Sequence, residues 1–275
     1  MKTKELNYLV EAFKKDSIKY AHIETPETVA EQVQLLRALM NIRMPGHLDE
    51  TVLKVQDDYL KDRAHDKGIV TLDDINDITS FSSHPYASKL SLWQGDITRL
   101  SVDAIVNAAN SQMLGCFIPL HTCIDNSIHT YAGVQLRLEC AKQMQDLRER
   151  HGYDYEQPTA IPMLTKGYNL PAKHVIHVVG PIVQGPLTTD DEAMLAACYT
   201  NVLDMCLDNG LKSVAFCCIS TGVFHFPPFE AARIAVAAVT KWLEQHEDAM
   251  DRIIFNVFKD EDLSYYQTIL TSGVK

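Results

Sequence analysis

From Leu90 onward, short apolar segments alternate with longer amphipathic ones, and this alternation limits the possible folds more than any other feature. Several short segments are apolar throughout, as expected for strands that helices cover on both faces. The pattern predicts an α/β sheet with helices on both sides. The predicted strands are Leu90–Trp93, Ala104–Val106, Thr159–Met163, Val175–Val179, Val214–Ile219 and Ile253–Val257. The predicted helices lie at about Asn126–Glu149, Asp191–Asp208 and Pro228–Gln245.

The first 85 residues have a helical pattern instead. Apolar residues recur at helical spacing in two stripes, and Thr25 followed by Pro26 predicts the start of the second helix. Residues 44–46 interrupt the pattern, and a third helix is predicted from about Asp49. We therefore predict an N-terminal helical extension over residues 1–85, with a packing role only, and an α/β domain over residues 86–275. The two stripes consist of Leu6, Leu9, Val10 and Phe13, and of Val29, Val33, Leu36 and Met40.

Composition excludes several classes of function. The chain has 25 basic and 36 acidic residues, a formal net charge of -11, which argues against a general nucleic-acid binder. It contains no apolar run near the roughly 20 residues of a membrane span, and its N-terminal residues do not resemble a signal peptide. An odd number of cysteines, seven, is typical of a reducing compartment. We predict a cytoplasmic protein with no membrane partner.

Polar residues and glycines cluster where predicted strands end, which is where ligands bind in open α/β sheets. Asp96 follows the first predicted strand, and its carboxylate could accept from an exocyclic amine or a ribose hydroxyl. Asn110 follows the second and could donate to and accept from a sugar. Asp and Asn also commonly shape turns, and this alternative stays open.

Two thiols and an imidazole lie close together in the segment GCFIPLHTC. Cys116, His121 and Cys123 are residue types that zinc favours, and three protein ligands leave a fourth position open. The alternative is two buried cysteines beside an ordinary loop histidine. A helix begins directly afterwards, at Asp125 or Asn126, and its free backbone N–H groups favour an anion such as a pyrophosphate.

A third segment, ISTGVFHFPP, joins a predicted strand to a helix. Gly222 would let the backbone approach a ligand closely, and the hydroxyls of Ser220 and Thr221 suit phosphate oxygens. Phe224 could lie against a ribose. A tight structural turn is the alternative.

The segments GDIT, VNAANS, IDNSIH and STGVFHFP, in this order, resemble the macrodomain family, and the inserted GCFIPLHTC resembles its zinc-containing subgroup from bacteria and fungi. The resemblance implies a three-layer α/β/α sandwich with a mixed central sheet, a cleft for ADP-ribose, and hydrolysis of mono-ADP-ribose from modified proteins. Bacterial relatives occur beside sirtuin-type ADP-ribosyltransferases and lipoyl-carrier proteins, so a lipoyl-carrier protein is an expected partner.

By matched position, the resemblance implies that Asp96 receives the adenine amino group with the Ile97 amide beside it, and that Phe258 stacks on adenine. Further ligand contacts are expected along the diphosphate loop and at the start of the helix that follows the metal-binding segment. These residues are Cys123, Ile124, Ser220, Thr221, Gly222, Val223 and Phe224.

The same resemblance implies that Asn110 holds the distal ribose and that Asp125 lies near its anomeric carbon; these are the predicted catalytic residues. The expected cofactor is Zn²⁺, with Cys116, His121 and Cys123 as ligands. Other hydrolytic macrodomains carry a run of glycines before the acidic residue, which the metal-binding segment replaces here. His225 also stands where glycine is usual.

Two other functions remain compatible with these residues. A reader module would bind ADP-ribose without cleaving it, and Asp96 with the Ser-Thr-Gly loop would suffice for that. A deacetylase of O-acyl-ADP-ribose would use the same cleft. The combination of Asn110, Asp125 and the metal-binding segment favours the protein hydrolase.

Overall fold

The computed structural model describes residues 3–272 and divides the chain into two units of packed elements. Unit 1 runs to Gly68 and adds two further segments, Met113–Tyr155 and Tyr168–Leu170. Unit 2 consists of the remaining described residues. The domain boundary at residue 85 stays a prediction.

Unit 1 is helical. Its helices are α1 (Thr3–Lys15), α2 (Val29–Ile42), α3 (Glu50–Lys67), α4 (Ile124–Ala132) and α5 (Val134–His151). The apolar stripe of α1 is buried, and it packs with the inner faces of α2 and α3 into one hydrophobic core. Helix α3 begins next to Asp49, where its start was predicted. The Asp49 carboxylate caps this helix by accepting from the N–H groups of Thr51 and Val52.

The predicted start of α2 at Thr25 is wrong. The helix begins at Val29, and the Thr28 hydroxyl caps it by accepting from the N–H of Glu31. The hydroxyl of Thr25 instead contacts Lys14 and Glu11 on α1. Thr28 followed three residues later by Glu31 is a capping pattern, which outweighs the Thr-Pro signal.

The single helix predicted over residues 126–149 is two helices, α4 and α5, separated by Gly133. Gly133 has a φ of 95°, a left-handed conformation that a side chain rarely adopts. A Cβ atom there would also lie within 3.0 Å of the side chains of Gln56, Gln135 and Asn169. The break therefore depends on glycine.

Unit 2 contains a six-stranded mixed sheet. Its strands are β2 (Leu90–Gln94), β4 (Ala104–Ala109), β5 (Met163–Lys166), β6 (His174–Val179), β7 (Ser213–Phe216) and β8 (Arg252–Val257), and the short β1 (Val70–Thr71) and β3 (Leu100–Ser101) pair separately. The order is β2-β8-β7-β4-β6-β5, with all pairs parallel except β5 against β6. This agrees with the predicted α/β class and mixed sheet.

The strand predicted at Thr159–Met163 is wrong, because β5 begins only at Met163. Ala160 has a positive φ of 64°, and Pro162 lacks the N–H that a paired strand needs. The other predicted strands are present with shifted ends. The largest shifts are at β4, which continues to Ala109, and at β7, which ends at Phe216.

Three helices of unit 2 complete the fold: α6 (Thr189–Asp208), α7 (Pro228–Gln245) and α8 (Asp260–Ser272). The bounds of α7 match the prediction, whereas α8 was not predicted. Aromatic pairs join helices to the sheet, with ring centroids 4.9 Å apart for Tyr199 and Phe216 and 5.1 Å apart for Phe255 and Tyr266. Within residues 3–272, no helix combines the length and apolar character that crossing a membrane requires.

Candidate functional site

Four neighbouring strands of unit 2, β2, β8, β7 and β4, are parallel and end at one edge of the sheet. Each is followed by residues that the sequence singled out: Asp96 after β2, Asn110 after β4, residues 220–224 after β7 and Phe258 after β8. The topology therefore brings these predicted residues to the same edge, which is where ligands bind in open α/β sheets.

Asp96 holds the turn that leaves β2. Its Oδ1 accepts from the backbone N–H and the hydroxyl of Thr98, at 3.0 and 2.6 Å, and caps a short 3₁₀ turn that begins at the buried Ile97. Gly95 packs under the Trp93 ring so closely that a Cβ atom would lie 2.4 Å from it. The turn-shaping role of Asp96 is thus observed. A carboxylate has two oxygens, so this role is compatible with ligand binding.

Asn110 follows the buried strand β4, and its Oδ1 accepts from the N–H of Gln112 at 3.1 Å. Glu156 accepts from the Ser111 hydroxyl and the Gln112 amide, at 2.6 and 2.8 Å, and so anchors the same turn. The carboxamide of Asn110 is half-buried and held by its surroundings. Such a preorganised amide suits recognition of a sugar hydroxyl.

A buried polar chain lies within the sheet and joins β4, β6 and β5. His177 contacts Asn107 through Nδ1 and Thr165 through Nε2, both at 3.0 Å. Burial lowers the pKa of His177 to about 3, so its imidazole is neutral at neutral pH. This histidine joins three strands and has a structural role, because it has no exposed surface.

The loop after β7 is held at both ends by its own backbone. The N–H of Phe226 donates to the Ser220 carbonyl at 3.0 Å, and the N–H of His225 donates to the Gly222 carbonyl at 3.1 Å. Ser220 and His225 both have left-handed backbones, with φ of 64° and 59°. Such strain in non-glycine residues is common at functional sites.

Ser220 provides the clearest polar group in this loop. Its hydroxyl is buried and has no hydrogen-bond partner among the described residues. A buried hydroxyl without a partner is energetically costly, and a bound ligand would supply one. Gly222 is exposed, and a Cβ atom there would meet nothing within 4 Å, so the space beside the loop is open at this position.

Gly180 was not singled out from the sequence, although it directly follows β6. A Cβ atom at Gly180 would lie only 2.1 Å from the Ser220 hydroxyl. The loop therefore requires glycine at this position. The signal was present, since a glycine at the end of a buried strand often marks a close approach of another segment.

Phe258 directly follows β8, and its side chain is 76% exposed. An exposed aromatic ring at this edge has no packing role in the fold. It offers one flat face on which a nucleobase could stack.

In unit 1, the predicted metal ligands come together. The Cys116 Sγ lies 3.7 Å from the His121 Nδ1, and one ligand atom from each of Cys116, His121 and Cys123 lies within 4.8 Å of the others. Tetrahedral zinc with Zn–S bonds of about 2.3 Å and Zn–N bonds of about 2.0 Å places its ligand atoms about 3.5–4 Å apart. The donor set and its spacing therefore fit zinc.

A metal ion at this position would act against the effect of burial on the Cys123 thiol. Burial raises the pKa of Cys123 to about 12, and the neighbouring Cys116 adds to the effect, although the Asn126 N–H donates to the Cys123 Sγ and opposes it. Two adjacent thiolates are unfavourable without a compensating positive charge. A bound metal ion would supply that charge and deprotonate both thiols.

Asp125 lies in the first turn of α4 and is buried, next to the half-buried Ile124. The His129 Nε2 is 3.6 Å from its Oδ1. Burial lowers the pKa of the nearby Arg137 to about 10, and the negative charge of Asp125 opposes that shift. A carboxylate at a helix N-terminus is stabilised by the helix dipole, so Asp125 is suited to act as an anion.

Comparison with known proteins agrees with this geometry. Residues 106–235 match the model of the Macro domain family. A Treponema medium protein named protein-ADP-ribose hydrolase is 45% identical over 264 residues, which cover 96% of this chain and 97% of that protein. The chain belongs to the macro domain family. A Staphylococcus aureus protein of the same name is 40% identical over 266 residues, covering 96% of this chain and 94% of that protein.

Solved macro domains share the fold. The crystal structure of a Trypanosoma brucei macrodomain in complex with ADP-ribose has a TM-score of 0.64 and 31% identity, covering 84% of this chain and 94% of that chain. The Oceanobacillus iheyensis macrodomain with ADP has a TM-score of 0.58 and 34% identity, covering 70% of this chain and 92% of that chain. The resemblance to the macrodomain family inferred from the sequence motifs is therefore confirmed, and the macro domain fold with it.

Proposed function

We propose that this macro domain protein is a hydrolase that removes mono-ADP-ribose from modified proteins. The observation that carries the proposal is the 45% identity, over 96% of this chain, to a protein named protein-ADP-ribose hydrolase. The orphaned Ser220 hydroxyl and the exposed Phe258 ring add independent support, because both lack a role in the fold itself.

The proposed binding of ADP-ribose uses the edge of the sheet in unit 2. Asp96 and the Ile97 amide receive the adenine, and Phe258 stacks on it. The loop from Ser220 to Phe224 binds the diphosphate through backbone N–H groups and the Ser220 and Thr221 hydroxyls. Residues 217 to 228 include no Lys or Arg, which is compatible with an anion held by backbone dipoles.

The proposed chemistry falls on Asn110 and Asp125. Asn110 orients the distal ribose through its hydroxyls, and the Asp125 carboxylate stabilises the positive charge that develops on that ribose as its bond to the protein breaks. A water molecule adds its oxygen to the ribose, and the acceptor side chain leaves with the proton. Cys123 and Ile124, which precede Asp125, are also expected to contact the ligand.

We further propose that Cys116, His121 and Cys123 hold Zn²⁺. A bound zinc ion supplies Lewis acidity and lowers the pKa of a coordinated water. The three ligands also fix the segment that precedes Asp125, because the Cys123 Sγ caps the first turn of α4 through the Asn126 N–H. Positioning of Asp125 is therefore a role of this site that is independent of any chemistry at the metal.

The test is incubation with an auto-ADP-ribosylated protein that carries labelled ADP-ribose. We expect loss of label with release of free ADP-ribose, and an Asp125→Asn variant should be at least about 100-fold slower while still binding ADP-ribose. Asp146 provides a matched control. It is exposed on α5, so Asp146→Asn also removes one carboxylate but leaves the proposed site unchanged.

The same assay separates the alternatives. Tight binding of ADP-ribose with full retention of label would identify a reader module and overturn the proposal. Preference for O-acetyl-ADP-ribose in a competition between the two substrates would identify the deacetylase instead.

A lipoyl-carrier protein is the proposed partner, and ADP-ribosylated lipoyl carrier is the substrate to compare first against an unrelated modified protein. The proposed compartment is the cytoplasm. The seven cysteines are all free, which supports a reducing environment.

A further inference from the structure

Helix α2 is hydrogen-bonded to the metal loop, which we define as residues 114–123. The Arg37 Nη2 donates to the His121 carbonyl at 2.8 Å and to the Asn126 Oδ1 at 3.0 Å. One turn further along α2, the Asn41 Oδ1 accepts from the Leu120 N–H at 3.0 Å. Positions 37 and 41 lie on one face of the helix, so α2 presents both groups to the loop.

Asn126 links Arg37 to Cys116, the first of the three predicted metal ligands. Its side chain is fully buried, and its Nδ2 donates to the carbonyls of Cys116 and Ile118, at 3.4 and 3.0 Å. Its backbone N–H donates to the Cys123 Sγ at 3.4 Å. Because Arg37 occupies the Oδ1 of Asn126, it fixes which end of this carboxamide faces the loop.

Leu120 shows what the Asn41 contact achieves. Its φ is 58°, a left-handed conformation that is unfavourable for leucine. The side chain is exposed, so packing does not impose this conformation. Its N–H donates to Asn41, and the His121 N–H donates to the Ile118 carbonyl at 3.2 Å, so the side-chain bond and a backbone turn together hold Leu120 directly before His121.

A second arginine, Arg137 of α5, closes the network from the other end of the loop. Its Nε donates to the Leu114 carbonyl at 2.8 Å, and its Nη1 donates to the Asn41 carbonyl at 2.8 Å. Its guanidinium also lies 4.3 Å from the centroid of the Phe117 ring. The loop is therefore tied to the end of α2 on both sides of Cys116.

We propose that α2 is the element that positions the metal ligands, with Arg37 and Asn41 as positioning residues for the Cys116–His121–Cys123 site. This proposal rests on the proposed zinc site. The N-terminal helices then have a function beyond packing, since without them the three ligand atoms would lose their fixed arrangement. Residues that orient metal ligands in this way typically raise metal affinity by about 10–100-fold.

The experiment measures zinc affinity by competition with a chromophoric chelator, on the full chain, for Arg37→Met and Asn41→Leu. Arg43→Met is the matched control, because Arg43 is the C-cap residue of α2 and the bonds described for its side chain go to Asp16 and to the carbonyls of Met44, Gly46 and His47, away from the loop. We expect about 10–100-fold weaker zinc binding for Arg37→Met and Asn41→Leu, and less than about twofold for the control.

A Co²⁺-substituted sample provides a second readout. The absorption bands of a cobalt-thiolate site depend on ligand arrangement, so they should shift in Arg37→Met and not in Arg43→Met. The proposal would be overturned if Arg37→Met and Asn41→Leu both kept the zinc affinity and the cobalt spectrum of the parent protein. An equal loss in Arg43→Met would also overturn it, because general destabilisation would then explain the effect.

These outcomes are distinct from those of the proposed hydrolase. If the parent protein binds zinc tightly but does not release ADP-ribose, the hydrolase proposal fails while the role of α2 remains measurable. If the parent protein binds no zinc, the role of α2 fails and the release assay still stands by itself.

Discussion

The hydroxyl of Ser220 lies directly above Gly180, so close that a Cβ atom on Gly180 would be 2.1 Å from it. The end of β6 and the loop after β7 therefore meet at a point where no side chain fits. Because Ser220 already has a left-handed backbone, it has little freedom to move away.

A Gly180→Ala substitution should therefore displace Ser220. We expect loss of at least about 1.4 kcal/mol of ADP-ribose binding, which is about tenfold in affinity, together with about 1–3 kcal/mol of stability from overpacking. Calorimetric titration with ADP-ribose and denaturant unfolding measure the two effects. Gly46→Ala is the control, since a Cβ atom there would meet nothing within 4 Å; equal affinities for both variants would contradict the proposed diphosphate loop.

A Phe258→Ala substitution should weaken ADP-ribose binding without affecting the fold. The ring is 76% exposed, so its removal costs little packing, whereas stacking of an aromatic ring on a base contributes about 1–3 kcal/mol. The affinity for ADP-ribose should fall while that for ribose 5-phosphate, which has no base, stays the same. Tyr153→Ala, at a residue 90% exposed, is the matched control. An equal loss for both ligands would exclude adenine stacking.

Removal of a metal ligand should abolish stoichiometric zinc. We expect Cys116→Ala to purify without bound zinc by elemental analysis, because two remaining ligands hold the ion poorly. Cys218→Ala removes a thiol elsewhere and should keep the metal. Turnover should fall with zinc content; a metal-free Cys116→Ala that is folded and fully active would show that zinc has no part in hydrolysis.

The stability of the protein should depend on pH through His177. Its pKa is lowered from 6.5 to about 3 by burial, so the unfolded chain binds a proton below pH 6.5 that the native chain does not. The free energy of unfolding should consequently decrease as the pH falls from 6.5 towards 3, by up to about 1.4 kcal/mol per pH unit from this group. Denaturant unfolding at several pH values should show a shallower slope for His177→Asn than for the parent.

The exposed His47 supplies the control for that measurement. His47→Asn removes an imidazole from the surface instead of the interior, and it is the matched substitution for comparison with His177→Asn. A parent slope that His177→Asn leaves unchanged would mean that the buried histidine does not contribute to acid sensitivity.

Much of the fold follows from local sequence signals. The bounds of α7 were predicted from Pro227, Pro228 and the apolar spacing that follows, because proline at a helix start and a regular stripe are strong signals. Gly133 was overlooked because apolar residues continue on both sides of it. The prediction of a strand over residues 159–163 was wrong although the composition of this segment suits a strand. Composition does not reveal that the backbone of Ala160 is left-handed, and the missing N–H of Pro162 was given too little weight.

The parts of the candidate site that lie in short continuous segments of the sequence could be predicted. Cys116, His121 and Cys123 are near one another in the sequence, and the structure places their ligand atoms together. The partners of that loop were not predictable, because Arg37 bonds a carbonyl 84 residues away and an ordinary helical arginine carries no signal of it. Tertiary contacts of this kind become visible only in three dimensions.

The bond between Arg37 and the backbone of His121 has a consequence for the evolution of the family. A lineage without the first three helices would also lack Arg37 and Asn41, the two side chains through which α2 bonds the metal loop. Amino-terminal helices and Cys-His-Cys loop should accordingly be gained and lost as a pair among macro domains.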